Sequence, residues 1–271
     1  MDKRNNYKQG RRPIKREGDA TQEVAEGIIY GRNQVRELLK TDRAVDKIYL
    51  RKGDREGSIL QIIAMASEKG IPIVDVEREK LDSLCGYGNH QGVAAMAAEK
   101  EYCEVADILK IAEERGEDPF IVILDGVEDP YNLGAVVRCA ECAGAHGVII
   151  PKRNSVGLSP VVDKTSAGAL EFTKVARVSN LASAIDTLQK ANVWLVAADM
   201  DGDKTIYEHD FSGGVGIVVG SEGKGVSRLV KEKCDFVVRI PMNGQINSLN
   251  ASVAASLMIY EVVRTRMKGS K

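Results

Sequence analysis

Three polar side chains, Asn247, Ser248 and Asn250, fall where a β-rich run, residues 236–240, hands over to an apolar stretch, residues 249–260. Pro241 cannot continue a central strand. Residues 242–247 read as a loop, and Ser248 or Asn247 can cap the helix that the apolar stretch predicts from Leu249. In an α/β sheet, the end of a buried strand just before a helix is where ligands bind. The same side chains would serve equally as local helix caps.

Asn132 and Arg138 form a second constellation, after the continuous apolar run 120–124. Asn132 is a good N-cap, and Gly134 in the first helical turn leaves room for a close neighbour. Arg138 lies about 120° round an ideal helix from Asn132 and nearly two turns along it. The two meet at one ligand only if Arg138 leans back toward the N-terminus. An Arg among Ala, Val and Cys needs an anion or a path to solvent, and Glu141 is its ordinary partner. A third segment, Gly220-Ser-Glu-Gly-Lys-Gly-Val-Ser227, lets a backbone approach a ligand closely. It is not a phosphate loop, because Gly225 follows Lys224 where Ser or Thr is required. It is not a dinucleotide fingerprint, because Gly214-Val-Gly216 is followed by Val219 where a third glycine belongs. A nucleotide-like ligand held by backbone groups and a plain tight turn both fit it.

The elements that must position these segments alternate in type. Strand patterns at 27–30, 47–50, 72–76 and 91–97 alternate with helical patterns at 33–40, 59–69 and 77–84, which predicts a small α/β domain over 27–98. Residues 99–118 read as a linker with a helical middle that Gly116 ends. Six further strands are predicted at 120–124, 147–150, 174–177, 193–197, 214–219 and 236–240. Helices at 132–143, 181–191, 226–233 and in the last segment lie between or after them. That pattern over 119–271 is a doubly wound parallel sheet. The fold class is therefore α/β, with a smaller N-terminal α/β domain ahead of a parallel-sheet domain.

The net charge of −1 hides an asymmetry: residues 1–16 carry seven Lys and Arg against Asp2, a surplus of +6 that leaves −7 for the rest. Residues 1–26 lack periodicity and are expected to be a disordered basic tail with an affinity for polyanions. Five cysteines without framework spacing, no apolar leader and no run of membrane length point to a reducing, cytoplasmic setting. Cys139 and Cys142 form a C-x-x-C inside a helical pattern with no second pair nearby, which suits helix packing better than metal. No metal is expected.

Taken together, Asn132-x-Gly-Ala-x-x-Arg138, Gly220-Ser-Glu-Gly-x-Gly-x-Ser227 and Ile240-Pro-Met-x-Gly…Ser248-Leu-Asn250-x-Ser-x-Ala-Ala resemble the three motifs of the SpoU-type RNA ribose 2′-O-methyltransferases. The resemblance spans residues 119–271. Ala251 stands where the family usually has Val. Upstream, Tyr30-Gly-Arg-Asn-Gln-Val35 and Asn89-His-Gln-Gly-Val-Ala94 resemble the ends of a small RNA-binding domain akin to a ribosomal-protein fold. The arrangement is similar to bacterial 23S rRNA guanosine 2′-O-methyltransferases.

The resemblance implies a knotted methyltransferase domain, a homodimer with the active site at the subunit interface, and S-adenosyl-L-methionine as cofactor. It places cofactor contacts at Gly220, Ile240 and Leu249, with Met242 and Ala198 walling the adenine. It assigns Arg138, Asn132, Glu222, Ser248 and Asn250 to catalysis, with Arg138 as proton acceptor. A guanidinium holds its proton tightly, so charge stabilisation or a grip on a phosphate are the alternative roles. His90 and Gln91 are candidates for RNA contact or for structure. The other readings are the same chemistry on tRNA, or an RNA-binding protein that keeps the fold without catalysis.

Overall fold

The structure is a computed structural model and describes residues 24–25, 27–246 and 248–269. The expected basic tail, apart from Val24 and Ala25, and Asn247 lie outside the described residues.

Two sheets organise the chain. The first holds β1 (Ile28–Tyr30), β2 (Val45–Arg51), β3 (Ile73–Val76) and β4 (Val93–Ala97) in the order β1-β4-β2-β3. It is mixed: β4 runs antiparallel to β1 and β2, and β2 runs parallel to β3. Helices α1 (Arg32–Leu38) and α2 (Ser58–Glu68) bury Val35, Leu38, Ile59 and Ile62 against Ile48, Leu50 and Val93. The shorter α3 (Arg78–Leu84) inserts Leu81 beside Ile28 and Tyr30.

Within the expected linker, α4 (Val105–Arg115) starts from a capping box between Glu104 and Asp107 and ends at Gly116, whose φ of 64° is left-handed. Its Val105 and Ile108 pack on the second sheet, against Ile121, Ile123 and Ile149. That sheet holds β5 (Phe120–Asp125), β6 (Gly147–Pro151), β7 (Val175–Val178), β8 (Trp194–Ala198), β9 (Lys204–Thr205), β10 (Val215–Gly220) and β11 (Phe236–Arg239). Their order is β7-β6-β5-β10-β8-β11-β9, and every pairing is parallel. The central strands β5 and β10 are apolar almost throughout because helices cover both faces. On one face lie α5 (Pro130–Cys142) and α9 (Ala251–Gly269), and on the other α4, α7 (Leu181–Lys190) and α8 (Arg228–Lys233). The order reverses between β5 and β10, which opens a crevice at the carboxyl ends of the strands.

Two helix starts differ from expectation. Asn132 is not an N-cap. Asp129 caps α5 through its side chain, which accepts from the Tyr131 N–H at 3.0 Å, and Pro130 takes the first helical position. The last helix begins at Ala251 rather than Leu249. Its cap is Asn250, whose Oδ1 accepts from the N–H groups of Ser252 at 2.9 Å and Val253 at 3.3 Å. Ser248 therefore lies in the loop. Two elements were not foreseen: β9, only two residues long, and α6 (Pro160–Thr165) with a 3-10 turn at Ala169–Glu171.

This α6 segment joins the two sheets. Lys164 donates to the Tyr30 hydroxyl at 3.0 Å, and Gln34 donates to the Lys164 carbonyl at 3.3 Å. Arg43 pairs with Glu171 at 2.6 Å and stands 3.8 Å from Asp163, all three side chains being largely buried.

Candidate active site

Beside that reversal, at the carboxyl ends of β8, β10 and β11, lies a cavity of about 400 Å³, a volume within the range of small-molecule sites. Three turns wall it. Residues 220–225 follow β10, Ile240 and Met242 follow β11, and Ser248, Leu249 and Ala251 lead into α9. Ala198 at the end of β8 closes the remaining side. All five residues expected at a cofactor, Gly220, Ile240, Leu249, Met242 and Ala198, therefore line one cavity.

The first turn folds back on itself. Gly225 donates to the Ser221 carbonyl at 2.9 Å, and Gly223 and Gly225 take φ of 83° and 64°. Gly220 has no alternative residue: a Cβ there would collide with the backbone of Gly225 and Val226. Asp125, at the end of β5, accepts from the Ser227 N–H at 2.7 Å and fixes where the turn ends.

A single carboxylate ties the three motif segments together. Oε1 of Glu222 accepts from Asn132 Nδ2 at 3.1 Å, from Asn250 Nδ2, and from the Ala251 N–H at 3.3 Å. Asn250 Nδ2 also donates to Asn132 Oδ1 at 2.9 Å. Asn132 is buried, and Ala251 is buried at the start of α9, where a carboxylate also meets the positive end of the helix dipole. The first turn of α5, the glycine turn and the cap of α9 are thus held by one oxygen. Gly134 sets the height of α5 from below: a Cβ there would stand 2.7 Å from Thr165 Cβ on α6.

Arg138 is not part of this cluster. It is exposed on the outer face of α5 and does not line the cavity. Among the described residues its side chain makes no hydrogen bond or ion pair, with Glu141 or any other group. Tyr131, 64% exposed, shares that face, and the neighbouring α9 exposes Val253 and Tyr260.

Sequence reasoning missed Asp199, Met200 and Asp201, which line the cavity after β8. Their only signal was their place just beyond a buried strand. Asp199 and Asp201 both pair with Lys231, at 3.2 and 3.0 Å, and so anchor that loop to α8. His90 is buried and Gln91 is exposed, and both are hydrogen-bonded within the small domain. His90 Nδ1 accepts from the Gly92 N–H and its Nε2 faces Asp82, each at 3.0 Å. Gln91 Oε1 accepts from the Arg32 N–H at 3.0 Å, which brings the two N-terminal motifs together. Burial pushes the Cys234 and Cys85 thiols up to about 12 and raises those of Cys139 and Cys142, so none is poised as a thiolate. No cluster of His, Cys, Asp and Glu suited to a metal occurs among the described residues, and no helix among them is long and apolar enough to cross a membrane.

Residues 119–260 match the SpoU rRNA methylase family, and residues 28–103 match the RNA 2′-O ribose methyltransferase substrate-binding family. YacO of Bacillus subtilis, named as a TrmH family tRNA/rRNA methyltransferase, is 47% identical over 88% of this chain and 95% of its own. The fold is similar to that of the SpoU methyltransferase AviRb of Streptomyces viridochromogenes, solved in complex with AdoMet. The TM-score is 0.75 at 23% identity, over 89% of this chain and 91% of AviRb. An RNA 2′-O ribose methyltransferase crystal structure is similar at TM-score 0.72 and 27% identity, over 89% of this chain and 88% of that one.

Proposed function

The chain belongs to the SpoU rRNA methylase family, and from that premise we propose that it transfers a methyl group from S-adenosyl-L-methionine to a ribose 2′-hydroxyl of RNA, a guanosine of 23S rRNA. The observation that carries this reading is the cavity walled by the turns of the second and third motifs, to which Glu222 ties Asn132 of the first. Gly220 lets the turn fold tightly against the backbone of Gly225 and Val226 along one wall of the cavity. Gly220, Ile240, Leu249, Met242 and Ala198 would hold the cofactor, which when bound supplies a methyl group already activated by its sulfonium.

The protein's own work is then alignment and charge. Asn132, Glu222 and Asn250 fix the turns around the donor, and Ser248 stands at the cavity wall. Arg138 stabilises the charge that develops on the ribose oxygen or receives its proton. Because Arg138 stands off the cavity of its own chain, we place it in the cavity of a second copy, with the exposed α5–α9 face as the homodimer contact. The exposed Tyr131, Val253 and Tyr260 on that face support this.

Support for rRNA comes from the description of the matched SpoU rRNA methylase family, and residues 28–103 supply a separate RNA substrate-binding domain. The relatives' names admit both. Labelled methyl transfer into purified 23S rRNA and into total tRNA separates the two: label in the former alone supports the reading, and label in tRNA alone overturns the rRNA assignment. Arg138→Ala is expected to bind cofactor normally and to transfer no methyl; near-normal turnover removes Arg138 from the mechanism.

A further inference from the structure

The charge of the body of the protein is negative, so any grip on RNA outside the tail must come from local cations that carboxylates leave free. One such group lies at the carboxyl ends of β6 and β7. Lys152 and Arg153 are exposed in the loop after β6, and their side chains have no hydrogen-bond or ion-pair partner among the described residues. Beside them, the Arg177 guanidinium lies over the Tyr102 ring, 5.2 Å from its centroid, and donates to the Lys152 carbonyl at 3.3 Å. Arg177 Nε is buried and donates to nothing among the described residues. A buried donor without an acceptor is uncommon and calls for a partner.

The loop is built, not loose. Leu158 donates to the Tyr102 hydroxyl at 2.8 Å, and the Val156 N–H donates to the Val127 carbonyl at 3.0 Å. It also abuts the cofactor cavity through one residue. A Cβ on Gly126 would touch the Asn154 carbonyl at 3.6 Å on one side and Ser221, which lines the cavity, at 3.7 Å on the other. A strand of RNA whose ribose reaches that cavity carries its neighbouring phosphates past this edge.

We propose that Lys152, Arg153 and Arg177 grip backbone phosphates of the RNA next to the nucleotide being modified. The inference rests on the RNA methyltransferase reading and adds where the substrate's backbone runs. The cations contact phosphates, so they position the strand without selecting its sequence.

The test is Lys152→Gln with Arg153→Gln, two exposed substitutions, measured as RNA affinity against salt concentration alongside a calorimetric titration of S-adenosylmethionine. Each phosphate that is no longer neutralised lowers the slope of log affinity against log salt by about 0.7 for single-stranded RNA, roughly 1.4 for the pair. The expected result is that smaller slope with an unchanged cofactor affinity, a raised KM for RNA and an unchanged kcat. Lys152→Arg with Arg153→Lys, which keeps both charges, is expected to keep the wild-type slope. An unchanged slope in the Gln variant overturns the proposal, as does a parallel loss of cofactor binding, which would mark the loop as merely structural. The slope is read whether or not methyl is transferred. A wild-type chain that methylates no RNA therefore refutes the functional reading, and the slope alone decides this one.

Discussion

Removing the Glu222 carboxylate should loosen three segments at once. In Glu222→Ala, two buried donors lose an acceptor, Asn132 Nδ2 and the Ala251 N–H, while Asn250 is exposed and can turn to water. Leaving a buried donor unpaired costs about 1–3 kcal/mol. Two such donors, one of them at a helix N-terminus, give a loss of about 3 kcal/mol. For a domain of this size that lowers the melting temperature by roughly 6–12 °C. Glu222→Gln keeps an acceptor oxygen in place and gives up only the charge, so its loss should be nearer ~1 kcal/mol, roughly 2–4 °C. Thermal unfolding of the three proteins, followed by circular dichroism, reads the series directly. A titration with S-adenosylmethionine then shows whether the loosened turns still form the cavity. The reasoning fails if Glu222→Ala melts within a degree of wild type, or if Gln is as damaging as Ala.

Gly220→Ala should abolish cofactor binding while leaving the N-terminal domain folded, because its Cβ collides with Gly225; normal binding in a titration would show that the turn can yield. Burial pushes the Asp163 carboxyl up to about 6, against the pull of Arg43 and with the help of Glu171. The unfolded chain releases that proton near about pH 4. The stabilisation is therefore full below about pH 4 and is lost as pH rises through about 6. Asp163→Asn should accordingly gain on wild type in melting temperature between about pH 4.5 and 7.5; a difference independent of pH contradicts this. Deleting residues 1–16 should flatten the salt dependence of RNA binding, and an unchanged slope would deny the tail any role.

Much of the scaffold was legible because its signals are local. The apolar run that became β5 (Phe120–Asp125) announced a buried parallel strand, and all six long strands of the second sheet follow patterns of that kind. The short α6 (Pro160–Thr165) went unread although Ser159 and Pro160 form an ordinary helix start, since six residues show too little periodicity to register. Asn132 read as a cap because its type suits one. The stronger signal, Asp129 followed by Pro130, stood three residues earlier and freed Asn132 to turn inward. The cavity residues were recoverable only by likeness to a family. Glu222 and its two asparagine partners are 90 and 28 residues apart in the chain, and no period links them. The family resemblance grouped Arg138 with them although spacing alone did not, and the helix turns it outward to an exposed face.

The most direct test is to incubate the full-length protein with 23S rRNA and S-adenosylmethionine carrying a labelled methyl group, then digest the RNA with alkali. A methyl on the ribose 2′-oxygen blocks cleavage at that linkage, so the label should stay in one alkali-resistant dinucleotide whose first residue is guanosine. Label released in mononucleotides, or no label from protein that binds the donor, would contradict the account.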